Sequence, residues 1–169
     1  GGQTAPLPNP FALGNAWFVD EVQYVSNANE EIEAIHGLNP QQTAVVDKKF
    51  ESVVKSIPSD AMDTIELVAY EPNYLKYEVD SEKGGTVVFS EIYYPGWQST
   101  IDGQEATHGR ANYILRAMNV PAGKHVVEFR FDPKSLHTTE TIAFIALGLL
   151  ALVAVVVIVM KIKDCRKVG

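Results

Sequence analysis

A run of twenty residues without a charged side chain, Thr141 to Met160, lies close to the C-terminus of the chain. Its sequence is TIAFIALGLLALVAVVVIVM. At about 1.5 Å per residue, a helix of this length spans roughly 30 Å, which is the thickness of the hydrocarbon core of a bilayer. A buried core helix of the same length would normally have a polar face, and this segment has none. The run therefore predicts a transmembrane helix over 141–160.

The residues that follow the span predict its orientation. Segment 161–169 contains four of the 14 Lys and Arg residues of the chain and one of its 21 Asp and Glu residues. Because basic residues next to a span are retained on the cytoplasmic side, we expect a basic cytoplasmic tail over 161–169 and an extracytoplasmic location for residues 1–140. The chain opens with GGQTAPLPNP, without an initiator methionine or an apolar leader. We therefore expect it to be the C-terminal piece of a longer membrane protein, whose earlier spans or removed signal carry this domain across the membrane.

The composition argues against several kinds of site. The net charge is −7 and the part before the span has no basic stripe, which argues against nucleic-acid binding. The only cysteine, Cys165, lies in the tail, so we expect the outer domain to be held together by packing without disulfides. The histidines lack the spacing of metal ligands, and the one at a strand start, His125, is expected to face solvent. The four histidines are His36, His108, His125 and His137.

Residues 16–138 are predicted to form a mainly β domain after a Pro- and Gly-rich linker, 1–15. Runs rich in β-branched and aromatic residues recur, and in the last of them Val127, Phe129 and Phe131 alternate with charged residues. The runs are AWFVDEVQYV, TAVVD, MDTIELVAY, NYLKYEVD, TVVFSEIYY, WQSTID, ANYILRAMNV and HVVEFRFD.

Turn and cap residues divide these runs. Gly84-Gly85 and Asp102-Gly103 are hairpin signals. Asn27, with an acid three residues later, resembles a capping box that opens a short helix, with Ile32 and Ile35 on one face. We therefore predict an antiparallel β-sandwich, jelly-roll-like, with one short helix, followed by a single C-terminal transmembrane α-helix.

Aromatic residues surround a Pro-Gly turn in the segment SEIYYPGW. Aromatic rings can stack on the C–H face of a pyranose, and nearby charged side chains could hydrogen-bond to the sugar hydroxyls. The alternative, which the residues by themselves favour, is that the aromatic side chains pack the sandwich core and that Asp102 serves its own turn. The candidate glycan-contacting residues are Glu91, Tyr94, Trp97, Asp102 and Arg116.

Arg116 lies among apolar residues in the predicted strand YILRAMNV. A buried arginine needs a carboxylate partner, which Glu91 or Asp102 could supply, and this pairing is as plausible as a contact with substrate. The two acids could also be cast as the acid pair of a glycosidase, but nothing in the sequence determines their separation. No catalytic residue and no metal ligand is assigned.

Several segments together resemble the C-terminal region of bacterial YfhO-family membrane proteins, in the form common among Bacteroidetes. They are NPFALGNAWFV, TAVVD, IELVAYEPNYLKYEV, VVFSEIYYPGWQSTIDG and NYILRAMNVPAGKHVVEFRFDP. The resemblance covers essentially residues 9–160 and depends on the combination of SEIYYPGW, IDG and LRAxxVPAGxH. It implies a large polytopic protein of the GT-C glycosyltransferase type in the bacterial cytoplasmic (inner) membrane, with a β-rich extracytoplasmic domain before its final helix.

The resemblance also implies a chemistry. The donor would be a polyprenyl-phosphate-linked sugar, the acceptor a cell-surface glycan or polymer, and a divalent metal is left open. In GT-C enzymes the catalytic acid lies in an early extracytoplasmic loop, so no catalytic residue is carried over and the fragment alone is expected to be inert. The implied partners are the lipid bilayer, the upstream transmembrane region and the acceptor glycan. Two alternatives stay open: a non-catalytic membrane-anchored module that binds glycan or protein, and a structural brace of a transporter-like protein.

Overall fold

The computed structural model describes Asn9 and residues 11–167. The chain divides into two compact units, residues 1–131 and residues 132–169. The described part of the predicted linker, Asn9 and 11–15, contains no helix or strand. All described strands lie in the first unit, and the second contains one long helix.

The first unit contains two β-sheets. Its strands are β1 Ala16–Val19, β2 Glu21–Val25, β3 Thr43–Asp47, β4 Thr64–Glu71, β5 Tyr74–Ser81, β6 Gly85–Ile92, β7 Trp97–Ile101, β8 Gln104–Ala106, β9 Gly109–Ala111, β10 Leu115–Val120 and β11 Gly123–Phe131. The first sheet has the order β1-β6-β10-β9-β3-β2 and the second the order β4-β5-β11-β7-β8. The described pairings are antiparallel, except that β2 and β3 are parallel. The predicted mainly β fold is confirmed.

The main hydrophobic core lies between the two sheets. Tyr77 and Phe129 from the second sheet meet Phe89 from the first, and all three are fully buried. The ring of Phe89 lies edge-on to both others, at 4.9 Å between centroids in each case. This is the geometry that aromatic rings prefer, and each such pair adds about 1 kcal/mol beyond the burial of apolar area. The alternation of β11 is confirmed, because Val127 and Phe129 are buried while the residue between them is partly exposed.

A second cluster of buried residues packs against the other face of the first sheet. It includes Val19, Val46, Val54 and Val88. Because this sheet is covered on both faces, its central strand β6 is apolar at consecutive positions instead of alternating: Val87, Val88 and Phe89 are all fully buried.

The turn signals gave one correct and one wrong prediction. Asp102 and Gly103 form the two-residue loop between β7 and β8, with φ of 51° and 77°, as a type I′ hairpin requires. Gly84 does not form a hairpin, because β5 and β6 belong to different sheets. It has φ of 77°, and a Cβ there would lie 2.6 Å from the carbonyl oxygen of Val120, so the chain crosses between sheets at a position that only glycine fits.

The short helix α1, Ala28–Ile35, begins as predicted but buries a different residue. The Asn27 side chain accepts hydrogen bonds from the backbone N–H groups of Asn29 and Glu30. The sequence placed Ile32 and Ile35 on one face of the helix, and in the structure Ile32 is 48% exposed whereas Glu31 is fully buried. The reason is an ion pair of Glu31 with a distant strand, which periodicity alone does not reveal.

The second unit contains the helix α2, Lys134–Lys167. Within it, Thr138–Met160 is long and apolar enough to cross a membrane, and its apolar side chains are exposed. This segment contains the predicted span, 141–160, and begins three residues earlier.

Candidate functional site

A groove opens at one end of the sandwich, beside the loop that joins β6 to β7. Its volume is about 400 Å³. Four of the five predicted glycan-contacting residues line it: Glu91, Tyr94, Trp97 and Arg116. The other lining residues were missed from the sequence: Pro72, Asn73, Ile92 and Phe131. For Phe131, the alternation of β11 predicted an apolar face. The sequence contained no signal that would have placed the other three residues in the groove.

The aromatic side of the groove is built by the return of the chain from β6 into β7. Gly96 makes the turn with φ of 107°, and the Trp97 N–H donates to the Tyr94 carbonyl at 3.5 Å. Trp97 then pairs with Phe131 across the β7–β11 ladder. The Phe131 ring lies 5.4 Å from that of Trp97 and 6.2 Å from that of Tyr94. The three rings therefore form a continuous row, of which Tyr94 is the most exposed in solvent, at 59%.

Arg116 reaches the groove from β10 because of an irregular strand register. Leu115 pairs with Ile92, whereas the next residue, Arg116, pairs with Phe89, so β6 has extra residues at 90–91. Bulges of this kind re-aim side chains. The Arg116 Nε donates to the Ile92 carbonyl at 3.0 Å, and the guanidinium lies 4.0 Å from the centre of the Trp97 ring.

The expectation that Arg116 pairs directly with a carboxylate was wrong. Among the described residues, Arg116 forms no ion pair with Glu91 or Asp102. Burial lowers the pKa of Arg116, and the charge of Glu91 acts through space in the opposite direction. The aromatic faces of Trp97 and Phe129, the latter at 5.1 Å, take the place of a direct partner.

The Arg116 Nη1 is buried and has no hydrogen-bond partner within the protein. The same is true of the hydroxyl of Tyr77, in the main core. Burial also raises the pKa of Tyr77 well above its usual range. An unpaired buried donor costs free energy, so such a group normally meets a water or ligand oxygen. The guanidinium is therefore a donor suited to a hydroxyl or anionic oxygen.

Asp102 does not belong to this groove. It follows β7, whose five residues place it roughly 16 Å from Trp97 along the strand. Its carboxylate accepts hydrogen bonds from the Val126 N–H at 2.8 Å and from the His125 ring at 2.6 Å. The His125 hydrogen bond lowers the pKa of Asp102, and the same bond raises the pKa of His125. A glycosidase pair of Glu91 with Asp102 is therefore not assembled. The side chain of His125, which was expected to face solvent, is 18% exposed, and both of its ring nitrogens are hydrogen-bonded.

A second depression, behind the aromatic loop, contains a Ser–His contact that sequence reasoning missed. The Ser99 hydroxyl donates to the Ala106 carbonyl at 2.6 Å and lies 2.8 Å from the Nδ1 of His108. A hydroxyl has one proton, so the His108 Nδ1–H must be the donor to Ser99. Burial lowers the pKa of His108 to about 4, which keeps the imidazole neutral at pH 7. Because its proton already goes to Ala106, Ser99 is not activated as a nucleophile.

Tyr93, next to the groove, has a packing role. Its ring contacts those of Phe50 at 5.4 Å and His108 at 5.6 Å. Trp97 also packs partly against the main core. The packing interpretation therefore describes Tyr93 and part of Trp97, whereas Tyr94 is 59% exposed. Among the described residues, no group of three or more His, Cys, Asp or Glu could hold a metal ion.

The sequence model of one protein family, described as bacterial membrane protein YfhO, matches residues 36–161 of this chain. The chain belongs to the YfhO family. The match includes every residue that lines the groove and the whole candidate span. Comparisons with curated proteins and with solved structures gave no match.

Family membership decides how α2 is interpreted. YfhO proteins are bacterial membrane proteins, so the apolar segment Thr138–Met160 is a candidate membrane span, and the chain is expected to associate with the lipid bilayer. The match begins at His36, at the end of α1, so that β1, β2 and α1 precede the matched region of the YfhO family.

Proposed function

We propose that this chain is the C-terminal extracytoplasmic sandwich and last span of a GT-C-type membrane glycosyltransferase. The whole protein would transfer sugar from a polyprenyl-phosphate donor to a cell-surface glycan or polymer at the bacterial cytoplasmic membrane. The chain itself is non-catalytic in this proposal, and its groove holds the acceptor glycan. Support comes from membership of the YfhO family and from the GT-C character that the sequence resemblance implies.

The proposed topology depends on the charges that flank the span. Four basic residues and one acid follow Met160. By the positive-inside rule, the segment after the span is cytoplasmic and the sandwich is extracytoplasmic. The sugar donor and the catalytic acid then belong to the upstream membrane region. The described residues offer no cluster of ligands for a divalent metal, and we assign it no site in this chain.

The observation that carries the acceptor role is the groove itself. Tyr94 and Trp97 present aromatic faces in one row, and Arg116 adds a buried Nη1 donor without a protein partner. Glu91, on the same groove, supplies an acceptor. Aromatic faces beside fixed donors and acceptors are the chemistry that a sugar ring with its hydroxyls requires.

The test is a pair of tyrosine variants in the full-length protein. Tyr94→Ala removes the exposed groove aromatic, and Tyr70→Ala is the matched control, since Tyr70 is 68% exposed and does not line the groove. Loss of one aromatic contact costs about 1 kcal/mol, so KM for the acceptor should rise roughly fivefold for Tyr94→Ala alone. Equal acceptor kinetics in both variants, with both folded, would remove the acceptor role from the groove.

Direct binding separates this proposal from its alternatives. The chain can be placed in lipid nanodiscs and titrated with cell-surface oligosaccharides while the Tyr94 and Trp97 signals are followed by NMR. Binding without any transferase activity in the full-length protein would favour the non-catalytic binding module. If the chain binds no sugar, and the activity of the full-length protein is unchanged by Tyr94→Ala, a role as a structural brace would be favoured.

A further inference from the structure

The segment that enters β1 and the last residue of the first unit both lie beside the groove. The Ser90 N–H donates to the Asn15 carbonyl at 2.8 Å, so the entering chain meets β6 near its last residues. The unit ends at Phe131, which pairs with Trp97 and whose N–H donates to the Asn73 carbonyl at 3.0 Å. We call this part of the sandwich the groove end, defined by Asn15, Asn73, Trp97 and Phe131.

Four large exposed apolar side chains lie together at the groove end, on the last residue of β6 and on two loops, at 37–62% exposure: Ile92, Tyr94, Tyr113 and Ile114. Other exposed large apolar residues of the first unit lie outside this group: Phe11, Ile32, Met62, Val68 and Tyr70. The loops are in contact, because the Tyr93 N–H donates to the Ile114 carbonyl at 2.7 Å and Leu115 pairs with Ile92. Single exposed apolar residues are ordinary, but a contiguous group marks a surface that meets a partner.

The loop that carries Tyr113 and Ile114 is held in a costly conformation. Asn112 and Tyr113 have φ of 47° and 71°, a region that non-glycine residues rarely adopt. The buried Glu31 accepts a hydrogen bond from the Tyr113 N–H at 2.8 Å and pairs with Arg110 at 2.6 Å. The protein therefore uses a buried charge to hold this loop with its apolar side chains outward.

We propose that the groove end docks on the interfacial region of the bilayer, with Ile92, Tyr113 and Ile114 among the lipid headgroups. The span begins at Thr138, seven residues after Phe131. At about 3.5 Å per residue, this tether reaches no more than roughly 25 Å in any conformation. Tyrosine and aliphatic side chains are the residues that favour the membrane–water interface. The bilayer in this proposal is the membrane that the candidate span would cross. The proposal therefore does not depend on the glycosyltransferase assignment.

A spin label tests this docking in the full chain. In a Cys165→Ser background, Ile114→Cys places the label at the groove end, and Met62→Cys is the control. Met62 is 87% exposed and precedes β4, whose Thr64 pairs with Asp80 at the opposite end of the sandwich. In phosphatidylcholine–phosphatidylglycerol bilayers, we expect the Ile114 label to be several-fold less accessible to a water-soluble nickel relaxant and more accessible to oxygen than the Met62 label.

Two other results of this test overturn the proposal. Equal access of nickel to both labels would place the groove end in water. Shielding of the Ile114 label from both nickel and oxygen in the full-length protein would place it against protein, so that the upstream spans and not lipid would cover it. Neither result bears on glycan transfer.

The two tryptophans give a second measurement without labels. Trp97 lies at the groove end, whereas Trp17 pairs with Val88 in the middle of β6 and its Nε1 donates to the Pro40 carbonyl at 2.8 Å, before the start of β3. Trp17→Phe leaves Trp97 as the only reporter, and Trp97→Phe leaves Trp17. Lipids brominated near the headgroup should quench Trp97 several-fold more than Trp17, and equal quenching would contradict the docking.

Discussion

The guanidinium of Arg116 lies 4.0 Å from the centre of the Trp97 ring, with its Nε bound to the Ile92 carbonyl. A fully buried cation is thus held by a ring face and a backbone oxygen, with no carboxylate in direct contact. This arrangement leaves the buried Nη1 without a hydrogen-bond partner within the protein. An unpaired buried donor costs free energy of folding, and an apolar residue would fill the same space without that cost. The presence of arginine here is therefore consistent with a role in binding.

Arg116→Met should therefore separate stability from binding. Replacing a buried charge by an apolar side chain of similar length is neutral or stabilising, and we expect the free energy of unfolding to rise by about 1 kcal/mol. The affinity for an oligosaccharide should fall roughly tenfold, through loss of a charged hydrogen bond. Urea unfolding and glycan titration on the same nanodisc samples measure both. A loss of stability without any change in affinity would make Arg116 a purely structural residue.

Glu31→Gln should weaken the loop at the groove end. Glu31 is fully buried, and its partner Arg110 is 21% exposed. Removing one charge from a buried ion pair costs about 3–5 kcal/mol, and we expect the lower end because water still reaches Arg110. The control is Glu33→Gln, an exposed position on the same helix, which should change stability by less than about 0.5 kcal/mol. Equal stability of the two variants would mean that the pair contributes nothing.

His108 should make the sandwich sensitive to mild acid. Burial lowers the pKa of His108 from 6.5 to about 4, so the unfolded chain takes up a proton at pH values where the folded chain does not. Stability is therefore full above pH 6.5 and falls as the pH drops towards 4, by about 1.4 kcal/mol per pH unit. His125 does not cancel this effect, because its pKa is raised and it is charged in both states below pH 6.5.

The measurement for His108 is urea unfolding at pH 6.5 and pH 5. The variant His108→Asn keeps an N–H donor near the Ser99 hydroxyl and removes the titration. We expect the stability of the native chain to fall by about 2 kcal/mol over this interval and that of the variant to fall by much less. Parallel pH dependence in both proteins would show that His108 is accessible to protons in the folded state.

Gly84→Ala should be more damaging than Gly14→Ala. Both glycines have left-handed φ, 77° and 81°, so an alanine costs about 1–2 kcal/mol at either position. Only at Gly84 does the new Cβ meet backbone, at 2.6 Å from the Val120 carbonyl oxygen, whereas nothing lies within 4 Å at Gly14. The difference in melting temperature between the variants isolates the steric clash at the crossover between sheets. Equal melting temperatures would show that the backbone relaxes freely there.

The predictions that succeeded depended on local signals. The cap at Asn27 and the two-residue turn at Asp102-Gly103 are set by residues next to each other in sequence, and both were correct. The strand TAVVD was predicted at its observed bounds, Thr43–Asp47. The short strands β8 and β9 were missed, because three residues carry too little alternation to be recognised.

The predictions that failed concerned partners far apart in the chain. Asp102 was grouped with Trp97 because the two are close in sequence, but an extended strand carries them to opposite ends of β7. The partner of Arg116 was expected to be an acid, and it is a carbonyl and two ring faces. The burial of Glu31 had no sequence signal, since its partner Arg110 lies 79 positions away.

The amino-acid sequence by itself determined that this chain has a candidate membrane span, a basic segment after it and a β-rich unit before it, because uncharged runs, charge bias and strand propensity act on neighbouring residues. Only the tertiary structure decided which side chains share the groove and which charges are buried. Strand register and the bulge in β6 set those distances, and both depend on pairing between segments that are remote in sequence.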